Sequence, residues 1–147
     1  MTTDGRHGRS WRPIFGMSVG ETLSVLRMAA LVVALPVLGK VLSLPRLVRL
    51  LDSRGRGAPR RDPERRLWLV RRLLARNAGP FRPKCYTQSL LLFHDLRRLG
   101  HDVVIRFAIS ENEGELEGHS WVELGGEPFG EPRDPRPFFK VVFTYGE

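Results

Sequence analysis

Residues 82–90 read Arg82-Pro83-Lys84-Cys85-Tyr86-Thr87-Gln88-Ser89-Leu90. Pro80 and Pro83 interrupt the chain just before the cysteine, because proline lacks the amide proton that a helix interior needs. From Tyr86 the pattern turns helical and holds to Leu99, where Gly100 stops it. Cys85, Ser89, Leu92, Leu96 and Leu99 recur at helical spacing and share one face. Cys85 therefore stands at a helix N-terminus, where unpaired N–H groups and the helix dipole favour thiolate over thiol, and Lys84 adds a nearby cation. Thiolate is the attacking species in cysteine chemistry. A lone cysteine is also commonly a small buried hydrophobe, and position alone is compatible with either role.

Beyond Gly100 the period changes to that of strands. Val103–Ile109 is rich in β-branched and aromatic residues. Gly118–Leu124 alternates, with Trp121 and Glu123 on the face of His119 and Val122 and Leu124 opposite. Gly125-Gly126 marks a two-residue hairpin turn, Pro128–Glu131 a return strand, and Lys140–Tyr145 a last strand. Upstream the chain is helical. Asp62-Pro63-Glu64 supplies an N-cap, a first-turn proline and an acid. Leu67, Val70, Leu73 and Leu74 form the apolar face of the helix that follows, and Asn77 and Gly79 end it. Helices first and an antiparallel meander after predict an α+β fold.

Residues 18–35 predict a further helix, capped by Ser18 or Thr22, apolar all round over Met28–Leu35 and kinked or ended by Pro36. The uncharged run Met28–Gly39 falls short of the ~20 residues needed to span a bilayer, so a buried or interfacial helix is expected. Pro45 opens a short helix with Leu47, Val48, Leu50 and Leu51 on one side and Arg46 and Arg49 on the other. Residues 53–60 read as a Gly/Ser/Pro linker. The expected organisation is a polar, disordered start over residues 1–13, a hydrophobic and basic helical extension with its linker over 14–58, and the main domain over 59–147.

The 147 residues carry a formal charge of +8, unevenly spread: 18 Lys+Arg against 5 Asp+Glu in residues 1–84, and 6 against 11 in residues 85–147. A basic front half attracts phosphate, anionic lipid or acidic peptide, so residues 18–52 are expected to be able to touch a membrane surface. No zinc pattern, helix-turn-helix spacing or aromatic strand pair accompanies the charge, which argues against nucleic acid. Neither a metal nor a cofactor is expected. With one cysteine and no secretory signal peptide, a reducing, cytoplasmic setting is expected, with membrane association through the basic helices.

His119, in Gly118-His119-Ser120-Trp121-Val122-Glu123, opens a strand beside a bulky aromatic and could aim one nitrogen across a cleft. A surface histidine at a loop end reads the same way. His7 lies in the polar start, His94 in mid-helix away from the Cys85 face, and His101 in a turn. A Cys–His pair needs a third group to fix the imidazole tautomer. Glu131, on the return strand, is the first candidate. Asp134, in a Pro-flanked turn, is the alternative third member and reads equally as a loop organiser. Glu123 is a third choice whose plain reading is a cross-strand charge. Gln88, one turn beyond Cys85, could support an oxyanion together with the Cys85 N–H. The run Glu111–Glu117 carries four acids and reads as a solvated turn, with steering of a basic substrate as a further role.

The run 82–90, the helix end Leu96-Arg97-Arg98-Leu99-Gly100 and the segment Gly118–Glu123 with Gly126 resemble the lasso-peptide biosynthesis B2 proteins. These are similar to the C-terminal domain of the microcin J25-processing protein and belong to the transglutaminase-like superfamily. The resemblance covers about residues 60–145 and extends more loosely into the leading helices. It implies a transglutaminase/papain-like cysteine protease with a Cys-His-Asp triad that removes the leader from a ribosomal precursor peptide. A separate lasso cyclase and a leader-recognition protein would be its partners. By motif match Cys85 takes the nucleophile role and His119 the base. The third position falls on Glu131 where Asp is usual, Lys84 replaces a small hydroxyl residue, and Gln88 stands where Arg is frequent. No room is expected before residue 60 for a fused leader-recognition domain. Two other readings use the same residues: amide hydrolysis or acyl transfer on another substrate, and a non-catalytic adaptor that binds a maturation partner through its basic helices.

Overall fold

In a computed structural model, residues 16–55, 62–76 and 85–147 are described. Helix α1 (Val19–Val41) begins at Ser18, whose hydroxyl accepts from the Glu21 N–H while Glu21 accepts from the Ser18 N–H, a reciprocal capping box. Helix α1 does not end at Pro36, one of the two outcomes expected there, but continues to Val41. The proline ring lies on the exposed side of the helix, so its missing N–H strands no buried partner. The uninterrupted helix of 23 residues, with mean hydropathy 2.0 over its best 18-residue window, is long and apolar enough to cross a membrane by length and composition. A helix that packs on a core passes the same test, and Met28 and Leu35 are buried here, in keeping with the buried or interfacial helix expected. Helix α1 is the one helix among the described residues to pass that test, and it sits near the N-terminus.

Helix α2 (Leu44–Leu51) buries Leu47, Val48 and Leu51, whereas Leu50, expected on the same side, is 63% exposed. Helix α3 (Pro63–Arg76) starts at the predicted Asp62-Pro63-Glu64, with the Asp62 carboxylate accepting from the Glu64 N–H. The proposed stop at Asn77 and Gly79, the Pro80–Pro83 break and Lys84 lie outside the described residues, as do residues 1–13 and most of the 53–60 linker.

Helix α4 (Cys85–Arg98) is the centre of the molecule. Ser89 through Arg97 are buried on every side, not on one face as the spacing predicted. The sheet covers one flank of α4 and helices α1, α2 and α3 cover the other. Leu90, Leu91, Leu92, Phe93 and Leu96 join Met28, Leu35, Leu47, Val48, Leu51, Leu67, Val70, Val103, Ile105 and Val122 in a single core. Residues expected as a helical extension thus pack on the same core as the rest.

The polar members of α4 must find partners in this interior. Asp95 receives both guanidinium arms of fully buried Arg66 of α3, from Nε and from Nη2. His94 Nδ1 lies 2.8 Å from the Leu51 carbonyl, which holds α2. Arg97 donates to the Gly146 carbonyl at 3.1 Å and faces Asp52, which also accepts from the Tyr145 hydroxyl at 3.1 Å.

The sheet has strands β1 (Val103–Asn112), β2 (Glu115–Leu124), β3 (Glu127–Phe129) and β4 (Lys140–Tyr145), all neighbours antiparallel, in the order β3-β2-β1-β4. The Gly125-Gly126 turn is as predicted, with both glycines at positive φ. The last strand departs from a simple meander: it returns to β1 at the opposite edge, where Phe143 meets Phe107 and Tyr145 meets Phe93, each with ring centroids 5.9 Å apart. The acidic run is not a loop. The β1–β2 ladder extends to Asn112 opposite Glu115, and only Glu113-Gly114, both at positive φ, form the turn.

Truncating one partner of the Arg66–Asp95 pair leaves a buried charge alone. Asp95→Ala is expected to cost about 3–5 kcal/mol in urea unfolding, while the double change Arg66→Met/Asp95→Leu recovers most of that loss. Equal loss in single and double variants would contradict the pairing.

Candidate active site

Cys85 is the first residue of α4, and its side chain is exposed. The thiol lies 3.8 Å from the carbonyl oxygen of Gly118, the residue directly before His119. Two buried serines hold the helix start against this strand. The Ser89 hydroxyl, one turn after Cys85, donates to the Ser120 carbonyl at 2.8 Å, with the Cys85 carbonyl at 3.1 Å as its alternative acceptor. The Ser120 hydroxyl in turn donates to Ser89 Oγ at 3.2 Å. Ser89 is four residues from Cys85 and Ser120 one residue from His119, so this clasp sets the height of the thiol relative to the imidazole. Helical spacing had placed Ser89 on the Cys85 face, but nothing local announced its partner.

His119 lies on β2 opposite Ala108 of β1. Its ring is stacked at 6.0 Å from buried Trp121 and packs at 5.1 Å against Phe139, which folds over it from the loop after β3. Nε2 of His119 is 2.9 Å from Oε2 of Glu131, and the two side chains are 22% and 12% exposed. A carboxylate only accepts, so this contact places the proton on Nε2 and leaves the Nδ1 lone pair free. Among the described residues the thiol makes its hydrogen bond with Gly118, and none with His119.

Glu131 reaches His119 through a bend rather than along a strand. The predicted return strand Pro128–Glu131 is shorter, Glu127–Phe129, and Gly130 follows at φ +76. A Cβ on Gly130 would stand 2.8 Å from the Leu67 side chain of α3. The Gly130 carbonyl accepts from Arg71 Nη2 at 2.6 Å, also on α3. Asp134 goes elsewhere: its exposed carboxylate is gripped by Arg136, with a shortest contact of 2.7 Å, and that guanidinium holds it below the usual carboxylate range. Glu123 is the cross-strand charge of its plain reading. It is buried, accepts from the Trp121 indole N–H at 3.1 Å and pairs with Arg106 at 3.1 Å, which keeps the Arg106 guanidinium more firmly protonated. Gln88 is half-buried one turn along α4 and makes no side-chain hydrogen bond with a described residue. Among the described residues no three His, Cys, Asp or Glu side chains cluster to hold a metal.

A thiol at a helix N-terminus, set by a serine clasp beside a strand that carries an acid-bonded histidine, is an arrangement suited to acyl transfer. Residues 25–144 match the family described as the transglutaminase-like superfamily. The chain belongs to that superfamily. The match takes in most of α1 and all of α2 as well as the segment from residue 60. Members of the superfamily generally run cysteine-protease or acyl-transfer chemistry. Comparison with curated proteins and with solved structures returned no match.

The tautomer offers a direct check on the acid. Nitrogen NMR of His119 is expected to report the Nε2–H form in the wild type and in Asp134→Asn, and a mixture of tautomers in Glu131→Ala. A wild-type Nδ1–H signal would contradict the assignment.

Proposed function

We propose that this protein is a cysteine peptidase that removes the leader from a ribosomally synthesised, lasso-type precursor peptide. The observation that carries the chemistry is the His119 Nε2–Glu131 hydrogen bond of 2.9 Å, which leaves Nδ1 as the base on a residue whose neighbour Gly118 already touches the Cys85 thiol. In this reading a rotation of the exposed Cys85 side chain moves Sγ from the Gly118 carbonyl to Nδ1, which takes the thiol proton. The thiolate attacks the scissile carbonyl, the S–C bond forms, and unpaired N–H groups at the start of α4 hold the oxyanion, with Gln88 as a supporting donor. His119 then gives its proton to the leaving amine as the C–N bond breaks. Water, deprotonated by His119, cleaves the thioester and restores the thiol. Glu131 holds the imidazole and offsets its charge while it is protonated.

The substrate class rests on the motif resemblance in residues 82–90 and Gly118–Glu123. It brings with it a separate leader-recognition protein and a lasso cyclase as partners, in a cytoplasmic setting. The superfamily match supports a second reading with the same residues, in which an amine rather than water accepts the acyl group.

Mass spectrometry of a lasso-type precursor incubated with this chain and a leader-recognition protein distinguishes them. Cleavage at the leader–core junction is expected, abolished by Cys85→Ala and reduced about 10²–10⁴-fold by His119→Ala. A product carrying an added amine would favour acyl transfer. Processing that survives Cys85→Ala would leave only a non-catalytic adaptor.

A further inference from the structure

Helix α1 has two apolar faces, and the fold uses one. Met28 and Leu35 enter the core with Ser24 beside them. On the opposite side Val19, Leu23, Leu26, Val33, Val37 and Val41 are between 55% and 79% exposed, and Ala30 is exposed among them. Positions 19, 23, 26, 30, 33 and 37 form one unbroken stripe, about 27 Å long at 1.5 Å per residue. On α2, Leu50 is also exposed, at 63%. Scattered surface leucines need no explanation, but a continuous stripe of this length does.

The surrounding charge points to one kind of partner. Within residues 16–55 the exposed charged side chains are Lys40, Arg46, Arg49 and Arg54, all basic. The two acids of that stretch are engaged, Glu21 with Arg65 at 3.3 Å and with the Ser18 N–H, and Asp52 with Tyr145 and Arg97. At the N-terminal end of the stripe lies a cleft of about 390 Å³, lined by Leu23, Ser24, Arg27, Ser53, Arg54 and Arg98 among others. Leu23 belongs to both the stripe and the cleft. None of the three arginines forms an ion pair with a described residue, so three cations face a space of headgroup size beside an aliphatic surface.

A second copy of the chain fits this surface poorly. The stripe has heptad spacing, but the positions beside it, Gly20, Thr22, Arg27, Ala29, Ala34 and Pro36, offer no acid to pair with Arg27 and so no opposite charge that could set partner or register. Two such faces would also bring like-charged basic rims together. A spanning helix fits no better, since it would have to withdraw Met28 and Leu35 from the core they share with α2, α3 and α4.

We propose that α1 lies in the plane of an anionic phospholipid surface, its outer stripe in the acyl boundary and a lipid phosphate in the Arg27–Arg54–Arg98 cleft. An aliphatic face rimmed by cations is the composition that such interfaces select. Docking in this way does not involve Cys85, so its test is independent of the peptidase reading.

The test is co-sedimentation of the full chain with vesicles of phosphatidylcholine alone or with about one-third phosphatidylglycerol. Binding to the phosphatidylglycerol vesicles is expected to be at least about tenfold tighter and to weaken as salt rises. Val33→Asp/Val37→Asp, with helical content unchanged by circular dichroism, should abolish it. Arg54→Glu/Arg98→Glu should remove the preference for the anionic lipid. In membranes from expressing cells, alkaline carbonate should release the protein. Four results would overturn the proposal: no binding to either vesicle; binding indifferent to Val33→Asp/Val37→Asp; a dimer by light scattering that those changes dissolve; or retention through the carbonate wash. Stabilisation by inorganic phosphate without vesicle binding would assign the cleft to a free anion and equally overturn it.

Discussion

Arg66 and Asp95 meet in the interior with two parallel hydrogen bonds, one helix supplying each partner, and neither side chain has solvent to fall back on. A buried pair of this kind is weak as a net source of stability but demanding in geometry, because either charge alone is strongly unfavourable. Here the demand falls on the relation between α3 and α4. Helix α4 carries Cys85 and is seated on β2 by the Ser89–Ser120 clasp. Helix α3 carries Leu67 and Arg71, which receive the Gly130 bend and so place Glu131. The candidate nucleophile and the acid behind the histidine therefore reach their positions from two helices locked together by one ion pair. The pair thus acts on specificity more than on stability, and the Nη1 of Arg66 is buried without a hydrogen-bond partner among the described residues.

The sheet supplies the remaining member. His119 is held by its strand, by Trp121 beside it, by Phe139 packed against it and by its hydrogen bond to Glu131. The open side of the site is the exposed thiol. Of the exposed acids of the β1–β2 hairpin, Glu115 and Glu117 lie on the strand leading into His119, and together they continue the acidic character of the second half of the chain. The basic, apolar helices occupy the first half, so the charge division seen in the sequence corresponds to a division between the reacting side and the leading helices.

Much of this was legible in short-range pattern. The Asp62-Pro63-Glu64 start, the helix opening at Cys85, the Gly125-Gly126 turn and the alternation through Trp121 are decided by neighbours within one or two turns, and the structure follows them. What escaped was decided over distance. Arg66 and Asp95 are 29 residues apart, and nothing in either helix marks them as partners. The burial of α4 on all sides required knowing that three helices cover it, and the return of β4 to β1 required knowing where Phe107 and Phe93 would lie. Pro36 read as a kink or an end because local chemistry allows either, and with the ring exposed the helix continues past it. Glu131 stood first among three acids from hairpin reasoning. It became distinct only when Gly130 turned it toward His119, Arg136 captured Asp134, and Arg106 with Trp121 engaged Glu123.

The account stands or falls on Cys85 and His119 working as a pair. The most direct measurement is the rate of iodoacetamide alkylation of Cys85, the chain's single cysteine, at neutral pH, in the wild type, in His119→Ala and in Asp134→Asn. The account predicts a wild-type rate well above that of free cysteine, a drop of at least about tenfold in His119→Ala, and no change in Asp134→Asn. A wild-type rate no faster than free cysteine, indifferent to His119, would make Cys85 a plain surface thiol and contradict it.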